Sequence, residues 1–154
     1  MRQRTDMPEL PEVEVVRRGA DHWFTGRRIA AVEVSNPRAI RRHVPGEADF
    51  IGQLSGATVT GTKRRGKYFW FTLDSGDVLV VHLGMSGQLL VQQPTDDTNR
   101  HLRVRVTFDD ARDELWFVDQ RTFGGMFLDE VADEEAIPTT LAHIAPDPLS
   151  TEFD

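Results

Sequence analysis

The sequence predicts a mainly β protein with some α structure: an antiparallel β-sandwich (a flattened barrel) flanked by an N-terminal helix. Two observations lead to this fold class. A clear helical period occurs near the N-terminus, and beyond residue 28 the chain consists mostly of short apolar or alternating segments separated by turn residues. At 154 residues the chain is long enough to bury roughly 70% of its unfolded surface, so it can form a real core.

The first predicted element is a helix from about residue 10 to residue 24. Its apolar residues recur at steps of three or four, the period of one helix face: Leu10, Val13, Val16, Ala20 and Trp23. Pro11 suits the first helical turn, and Gly26 is the predicted stop after the last turn. Pro8 is therefore expected just before the N-terminus of this helix.

A strand and a second helix are predicted next. The strand covers residues 29–34 and ends at Asn36-Pro37, a pair that favours a turn. A short helix is predicted near residues 47–54.

The remaining predicted elements are strands. Residues 57–92 are rich in strand-forming residues, with a hairpin turn over residues 74–77 and a glycine-bracketed loop over residues 84–87. Residues 102–108 alternate between apolar and polar side chains, which predicts a half-exposed strand. A turn then leads into an apolar strand at residues 115–118.

The composition excludes several classes of site. The chain has no cysteine, so disulfides, thiol nucleophiles and cysteine-ligated zinc are excluded within it. No apolar run approaches the roughly 18 residues that a membrane-spanning helix needs, and no signal-peptide stretch follows the polar first residues. We therefore expect a cytoplasmic protein.

The net charge of −7 is unevenly distributed along the chain. Residues 1–67 hold 13 Lys or Arg against 8 Asp or Glu, whereas residues 68–154 hold 5 against 17. This division predicts a basic working surface in the first half and a solvated acidic region in the second, with chance clustering as the alternative. The only lysines are Lys63 and Lys67, which limits the candidate amine nucleophiles.

Four motifs occur in order along the chain: Pro8-Glu9-Leu10-Pro11-Glu12-Val13-Glu14, Arg65-Gly66-Lys67-Tyr68, His82-Leu83-Gly84-Met85-Ser86-Gly87 and Asp119-Gln120-Arg121-Thr122-Phe123-Gly124. In this order they resemble the N-terminal domain of the formamidopyrimidine-DNA glycosylases, bacterial enzymes that excise oxidised purines. The related endonuclease VIII branch typically has glycine in place of Leu10, so the resemblance favours the oxidised-purine branch. Residues 145–149 resemble the interdomain connector of the family.

The resemblance implies a division of the chain into an extension over residues 1–7, the catalytic domain over residues 8–140 and the start of an interdomain linker over residues 141–154. Family members continue into a helix–two-turns–helix domain and a zinc finger held by four cysteines. We therefore expect a fragment of such a protein, with a homologue that lost its second half as the alternative. No cofactor is expected in this chain, and zinc is expected in the family's C-terminal zinc finger.

Pro8 resembles the nucleophile of the family. Base removal coupled to strand cleavage calls for an amine that attacks the sugar carbon and forms an imine. An α-amine has a pKa of about 8, against about 10.4 for lysine, and the positive end of a helix disfavours its protonated form further. A proline imine is a cationic iminium and hence a good electron sink. A simple helix-entry proline is the alternative.

In this sequence Pro8 follows Met7, so its nitrogen is an amide. The catalytic role therefore requires translation to begin at Met7 and Met7 to be removed, or an equivalent processing step. We predict that the active species begins at Pro8. Intact mass and N-terminal sequencing of an active preparation test this prediction, and activity in a species that retains residues 1–7 would contradict it.

Glu9 resembles the catalytic carboxylate of the family, with proton transfer at the sugar ring and the imine as its role. Its alternative is a carboxylate that meets the positive end of the helix dipole. A sugar hydrolase with two catalytic carboxylates is the rival enzyme class, and the sequence offers no second carboxylate motif for it.

Lys67, which completes the catalytic set with Pro8 and Glu9, matches the family's contact to a phosphate beside the lesion, and His82 matches another phosphate contact. The alternatives are a strand-edge charge for Lys67 and a half-buried structural histidine for His82.

Met85, Arg121 and Phe123 match the residues that fill the space left when a target base rotates out of the duplex. Arg121 would reach towards the base opposite the lesion, and anchoring of the loops into the core is the alternative for Met85 and Phe123. Weaker candidates for contacts to the DNA backbone are Arg38, Arg41, Arg42, His43, Arg100, His101, Arg103 and Arg105, of which His101 joins the predicted DNA-binding set.

The resemblance thus implies a bifunctional DNA glycosylase and abasic-site lyase of base-excision repair. Its expected substrates are 8-oxoguanine and formamidopyrimidines in double-stranded DNA. We expect a monomer at the bacterial nucleoid with no membrane partner. A catalytically inactive DNA-binding remnant of the same family is the first alternative, and a structural or protein-binding β-domain is the second.

Overall fold

The computed structural model describes residues 10–95, 99–131 and 137–141. Pro8 and Glu9 lie outside these residues. Within the described ranges the helices are α1 (Leu10–Phe24) and α2 (Glu47–Leu54), with 3-10 turns at Pro37–Ile40 and Thr139–Leu141, and the strands are β1 (Ile29–Val34), β2 (Val59–Arg65), β3 (Tyr68–Leu73), β4 (Val78–His82), β5 (Gly87–Gln92), β6 (Leu102–Phe108), β7 (Glu114–Asp119) and β8 (Gly125–Asp129). Neither described α-helix is long and apolar enough to cross a membrane.

The strands form two four-stranded sheets, with the orders β1-β6-β7-β5 and β2-β3-β4-β8. Every strand pair in these ladders is antiparallel. The two sheets share one apolar core, to which Val106 and Phe117 contribute from the first sheet and Phe71 and Val81 from the second. The predicted antiparallel β-sandwich with an N-terminal helix is confirmed, and in the described residues the sheets do not close into a barrel.

Helix α1 begins and ends where its apolar period predicts. Val13, Ala20 and Phe24 are almost fully buried, and the Phe24 ring stacks on Phe108 with the ring centroids 5.2 Å apart. Each large apolar side chain buried in this way contributes roughly 1.5–3 kcal/mol to folding. Gly26 ends the helix with a φ of +89°, a conformation that favours glycine.

The predicted strand over residues 29–34, the short helix over residues 47–54 and the hairpin turn over residues 74–77 are confirmed. The half-exposed strand β6 is also confirmed, because Val104, Val106 and Phe108 are buried and its polar residues are half-buried. Strand β8 was not predicted. It is five residues long and begins at the second glycine of the Gly124-Gly125 pair, so its local pattern does not distinguish it from a loop.

The outer face of the second sheet carries a smaller apolar cluster. Trp70, Val80 and Phe127 pack there beneath Ile137 and Leu141. The segment over residues 137–141 therefore covers this face, which explains why residues 78–81 of β4 are buried on both sides of the sheet.

Candidate functional site

Four of the predicted site residues line one surface pocket of about 450 Å³ beside α1. The full lining is Val13, Lys67, His82, Leu83, Gly84, Met85 and Phe123. Lys67 lies exposed in the turn between β2 and β3. Met85 and Phe123 are 43% and 42% exposed, so neither side chain anchors its loop in the core. The pocket thus combines cationic or polar groups with two exposed apolar tips.

Two segments carry these apolar tips, and we call them the paired loops: residues 84–87, which lead into β5 and include its first residue, and residues 120–124 between β7 and β8. Their backbones touch, which only glycine permits. A Cβ atom on Gly84 would lie 2.9 Å from the nitrogen of Gly124, and one on Gly124 would lie 2.4 Å from the carbonyl oxygen of His82. The glycines of both motifs therefore set the distance between Met85 and Phe123.

Asp119, the last residue of β7, connects the paired loops. Its side chain is fully buried, and Oδ1 accepts hydrogen bonds from Ser86 Oγ at 2.5 Å and from the backbone N–H of Thr122 at 2.9 Å. Its Oδ2 accepts from the N–H of Gly124 at 2.8 Å. No role for Asp119 was predicted from the sequence. An aspartate between an apolar strand and a short loop was the available signal, since such side chains often accept from nearby N–H groups.

Arg38 and Arg41 hold the second loop from its other side. Arg41 Nη2 donates to the carbonyl oxygen of Phe123 at 2.8 Å and Nη1 donates to that of Gly124 at 2.9 Å. Arg38 Nε donates to the carbonyl oxygen of Thr122 at 3.2 Å. Thr122 has a φ of +54°, the left-handed region that non-glycine residues rarely adopt, so the loop needs such contacts to keep its shape.

Three other weak candidates for DNA contacts bind protein groups instead. The His43 side chain is 4% exposed and its Nε2 lies 2.8 Å from Asp49 Oδ2, so it is a buried structural group. Arg105 Nε donates to Glu114 Oε1 at 2.8 Å, and Arg103 Nε donates to the carbonyl oxygen of Asp119 at 3.0 Å. Sequence alone could not separate these side chains from surface cations because their partners lie on other elements: Asp49 on α2, and Glu114 and Asp119 on β7.

His82 lies at the end of β4, half-buried in the pocket wall. Its ring stacks on Tyr68, with centroids 4.6 Å apart and planes at 24°, and Arg42 Nη1 donates to Tyr68 Oη at 3.1 Å. Burial lowers the pKa of His82 below its usual 6.5, and the nearby cations Arg42, Arg41 and Lys67 lower it further. The imidazole is therefore neutral at pH 7 and offers one N–H donor and one acceptor nitrogen.

Arg121 belongs to the second of the paired loops and His101 lies next to it, but neither residue lines the pocket. The backbone N–H of Asp119 donates to the carbonyl oxygen of His101 at 2.9 Å. The Arg121 side chain is exposed, and its backbone N–H donates to Asp119 Oδ1 at 3.2 Å. Among residues 10–95, 99–131 and 137–141, no group of three or more His, Asp and Glu side chains has an arrangement that could hold a metal ion.

Comparison with known proteins gives one consistent family. The model of the formamidopyrimidine-DNA glycosylase N-terminal domain matches residues 7–126. The formamidopyrimidine-DNA glycosylase of Thermobifida fusca is 53% identical over 96% of this chain and 53% of its own length. The chain thus spans about half the length of the curated relatives it matches.

Solved structures of the glycosylase from Lactococcus lactis have the same fold. Its complex with DNA containing an abasic site superposes with a TM-score of 0.73 and 31% identity, over 86% of this chain and 45% of that one. Its complex with DNA containing a formamidopyrimidine lesion gives the same values for score, identity and coverage. These similarities extend from sequence to three-dimensional structure.

Proposed function

Because this chain belongs to the formamidopyrimidine-DNA glycosylase family, we propose that it is the catalytic N-terminal part of a DNA repair glycosylase. The proposed activity is bifunctional: removal of oxidised purines, including 8-oxoguanine and formamidopyrimidines, followed by cleavage at the abasic site. The observation that carries this proposal is the pocket in which Lys67, His82, Met85 and Phe123 meet.

The chemistry of the pocket matches what a base-flipping enzyme needs. In our proposal, the ammonium group of Lys67 and an N–H of the His82 ring bind phosphates beside the lesion. Met85 and Phe123 enter the stack where the damaged base has left it, and Arg121 reaches towards the opposite base. The exposure of both apolar tips supports this role, since a core function would bury them.

Pro8 is the proposed nucleophile, although it lies outside the described residues. Its nitrogen would bond to the sugar carbon as the bond from that carbon to the damaged base breaks and the base leaves with a proton. Loss of the proline N–H proton and opening of the sugar ring, in which the bond from the same carbon to the ring oxygen breaks and the oxygen takes up a proton, then give a cationic iminium. Glu9 would move protons at the sugar ring and the iminium. Val13 of α1 lines the pocket, so the helix that follows Pro8 in the sequence contributes directly to the site.

The proposal includes the domain division. Residues 8–140 would form the catalytic domain, preceded by an extension over residues 1–7 and followed by the start of a linker. His101 remains a proposed DNA contact from the edge of the paired loops. Such a protein would act as a monomer on damaged double-stranded DNA in the bacterial cytoplasm, at the nucleoid.

Borohydride trapping on an abasic-site duplex tests the proposed function. Borohydride reduces an iminium to a stable amine, so the full-length protein beginning at Pro8 should become covalently attached to the DNA. The matched control retains residues 1–7, which makes the Pro8 nitrogen an amide and should abolish trapping. Binding of the duplex without trapping by either species would instead identify a DNA-binding remnant without lyase activity.

A further inference from the structure

We propose that Asp119 and Arg41 are positioning residues that hold the paired loops as one preformed wedge before DNA is bound. This inference rests on the proposed function, since it concerns how Met85 and Phe123 enter the duplex. It assigns no direct DNA contact to either residue. Instead, both side chains act through the backbone of residues 120–124.

Charged side chains on both sides of residues 120–124 form hydrogen bonds with the backbone of this loop. Asp119 accepts from the N–H groups of Thr122 and Gly124, at 2.9 and 2.8 Å. Arg41 donates to the carbonyl oxygens of Phe123 and Gly124, at 2.8 and 2.9 Å. Hydrogen bonds with an ionised partner are about twice as strong as neutral ones, so the loop is fixed more firmly than an ordinary surface turn.

The same carboxylate couples this loop to its neighbour. Ser86 Oγ donates to Asp119 Oδ1, and Ser86 follows Met85 directly in the chain. Together with the contact between the Gly84 and Gly124 backbones, this bond makes the two loops one unit. The tips that would fill the duplex, Met85 and Phe123, are therefore held relative to each other although both remain exposed.

Preformed geometry has a direct consequence for DNA recognition. A flexible loop must be ordered when it enters the stack, and that ordering opposes binding. A loop that is already fixed avoids this cost. Thr122, held at a φ of +54° between Asp119 and Arg41, is the residue whose conformation would relax if either contact were lost.

The competing role for Arg41 is a direct phosphate contact, and a charge-removing variant separates the two. In Arg41→Gln the carbonyl contacts and the positive charge are both lost. If Arg41 binds a phosphate, the dependence of log affinity on log salt becomes shallower by about one unit, as for Lys67→Ala. If Arg41 positions the loop, the salt slope stays unchanged and wedge insertion is impaired.

Wedge insertion can be followed by the fluorescence of 2-aminopurine placed beside a stable abasic-site analogue, with the full-length protein in excess. We expect Arg41→Gln and Ser86→Ala each to slow the fluorescence rise several-fold at saturating protein, while the salt slope keeps its parent value. Ser86→Thr keeps the hydroxyl group and should restore the parent rate. Ser86→Ala also covers the case in which Arg41→Gln fails to fold, which thermal unfolding would reveal.

Two results would overturn the inference. Parent-like insertion rates in both Arg41→Gln and Ser86→Ala would show that the loops need no such support. A shallower salt slope with normal insertion in Arg41→Gln would make Arg41 a phosphate contact. A parent protein that gives no fluorescence change would instead overturn the proposed function, and with it the inference.

Discussion

Charged side chains stabilise both the paired loops and the contact between α1 and β2, but they bind different partners in the two regions. At the α1–β2 contact, Glu14 binds Arg17 at 2.7 Å and Arg64 at 2.8 Å, so opposite charges neutralise each other directly. In the paired loops, Asp119 accepts from backbone N–H groups and Arg41 donates to backbone carbonyl oxygens.

The difference lies in what each region holds in place. The Glu14 carboxylate of α1 binds Arg64 of β2 and so fixes the helix against the sheet, while Arg17 binds it from the same helix. In the paired loops the charged groups bind mainly backbone, with the Ser86 hydroxyl as an additional partner of Asp119, and they fix the conformation of a segment that includes a residue with positive φ. The cations of the loop region also act on their surroundings: burial lowers the pKa of His82 most, and Arg42, Arg41 and Lys67 lower it further.

The largest expected effect is a loss of stability caused by a substitution in the paired loops. In Gly124→Ala the new Cβ would lie 2.4 Å from the carbonyl oxygen of His82 and 2.6 Å from that of Leu83. Because backbone atoms cannot move aside, we expect the free energy of unfolding to fall by about 3 kcal/mol. Urea denaturation measures this change.

The matched control for that substitution is Gly52→Ala. Gly52 lies inside α2 and has open space around the position of a Cβ atom. Alanine is a better helix former by up to about 1 kcal/mol, so this variant should be as stable as the parent or more so. Equal destabilisation by both alanines would mean that the close approach of the paired loops is unimportant.

The next effect concerns the α1–β2 contact and depends on pH. Hydrogen bonds from Arg17 lower the pKa of Glu14 to about 2, against an ordinary value of 4.5, and those from Arg64 and Arg18 act in the same direction. The folded state therefore binds this proton less readily than the unfolded chain. The resulting stability is fully present above pH 4.5 and is lost as the pH falls towards 2.

Glu14→Gln should accordingly cost about 2 kcal/mol at pH 7, and the gap to the parent should narrow below pH 4.5. Free energies of unfolding at several pH values measure this. Glu33→Gln serves as the control, since Glu33 is 66% exposed and its nearest Arg105 nitrogen is 3.4 Å away. We expect it to change stability by less than about 0.5 kcal/mol. A constant gap between Glu14→Gln and the parent from pH 7 to pH 3 would contradict the assignment.

A smaller effect appears only in DNA binding. Lys67→Ala should weaken duplex binding several-fold at low salt and reduce the salt slope by about one unit, because one phosphate contact is lost. Arg28→Ala is the control, since Arg28 is exposed, lies outside the pocket and has Asp109 at 3.6 Å. Affinities measured across a salt series decide the matter, and identical slopes for Lys67→Ala and the parent would remove Lys67 from the phosphate contacts.

Local sequence signals account for most of the fold. Helix α1 and strand β1 occupy the predicted residues because an apolar period and turn residues define each of them. The division of strands between two sheets did not follow from the sequence, since β5 pairs with β7 and β4 with β8 through contacts distant in the chain. Strand β8 was missed because pairing with β4, rather than its own composition, makes it a strand.

Within the candidate site, the pocket residues that lie in the four motifs could be predicted from the sequence. Lys67, His82, Met85 and Phe123 come from three separate motifs that the resemblance brought together, and all four residues line the pocket. The roles of the residues that support the paired loops could not be predicted. The role of Asp119 depends on a hydroxyl group 33 positions earlier, and that of Arg41 on carbonyl groups more than 80 positions later. Contacts between residues so far apart in the chain produce no periodic pattern in the sequence.

The smallest expected effect concerns the proton on His82. Burial and the cations around it keep the ring neutral at pH 7, but a DNA phosphate against the ring would favour the charged form. DNA binding should then take up protons as the pH falls, and affinity should rise by roughly two- to threefold between pH 7.5 and pH 6. The free energy of unfolding of the free protein changes with pH in the opposite direction to the affinity. The unfolded chain takes up this proton first, so stability is lost as the pH falls below 6.5.

Fluorescence titrations at pH 7.5 and pH 6 should show the gain in affinity in the parent and in His22→Gln, but not in His82→Gln. His22 is the control because its side chain is exposed at the end of α1. The same gain in His82→Gln would mean that His82 stacks on Tyr68 without touching a phosphate.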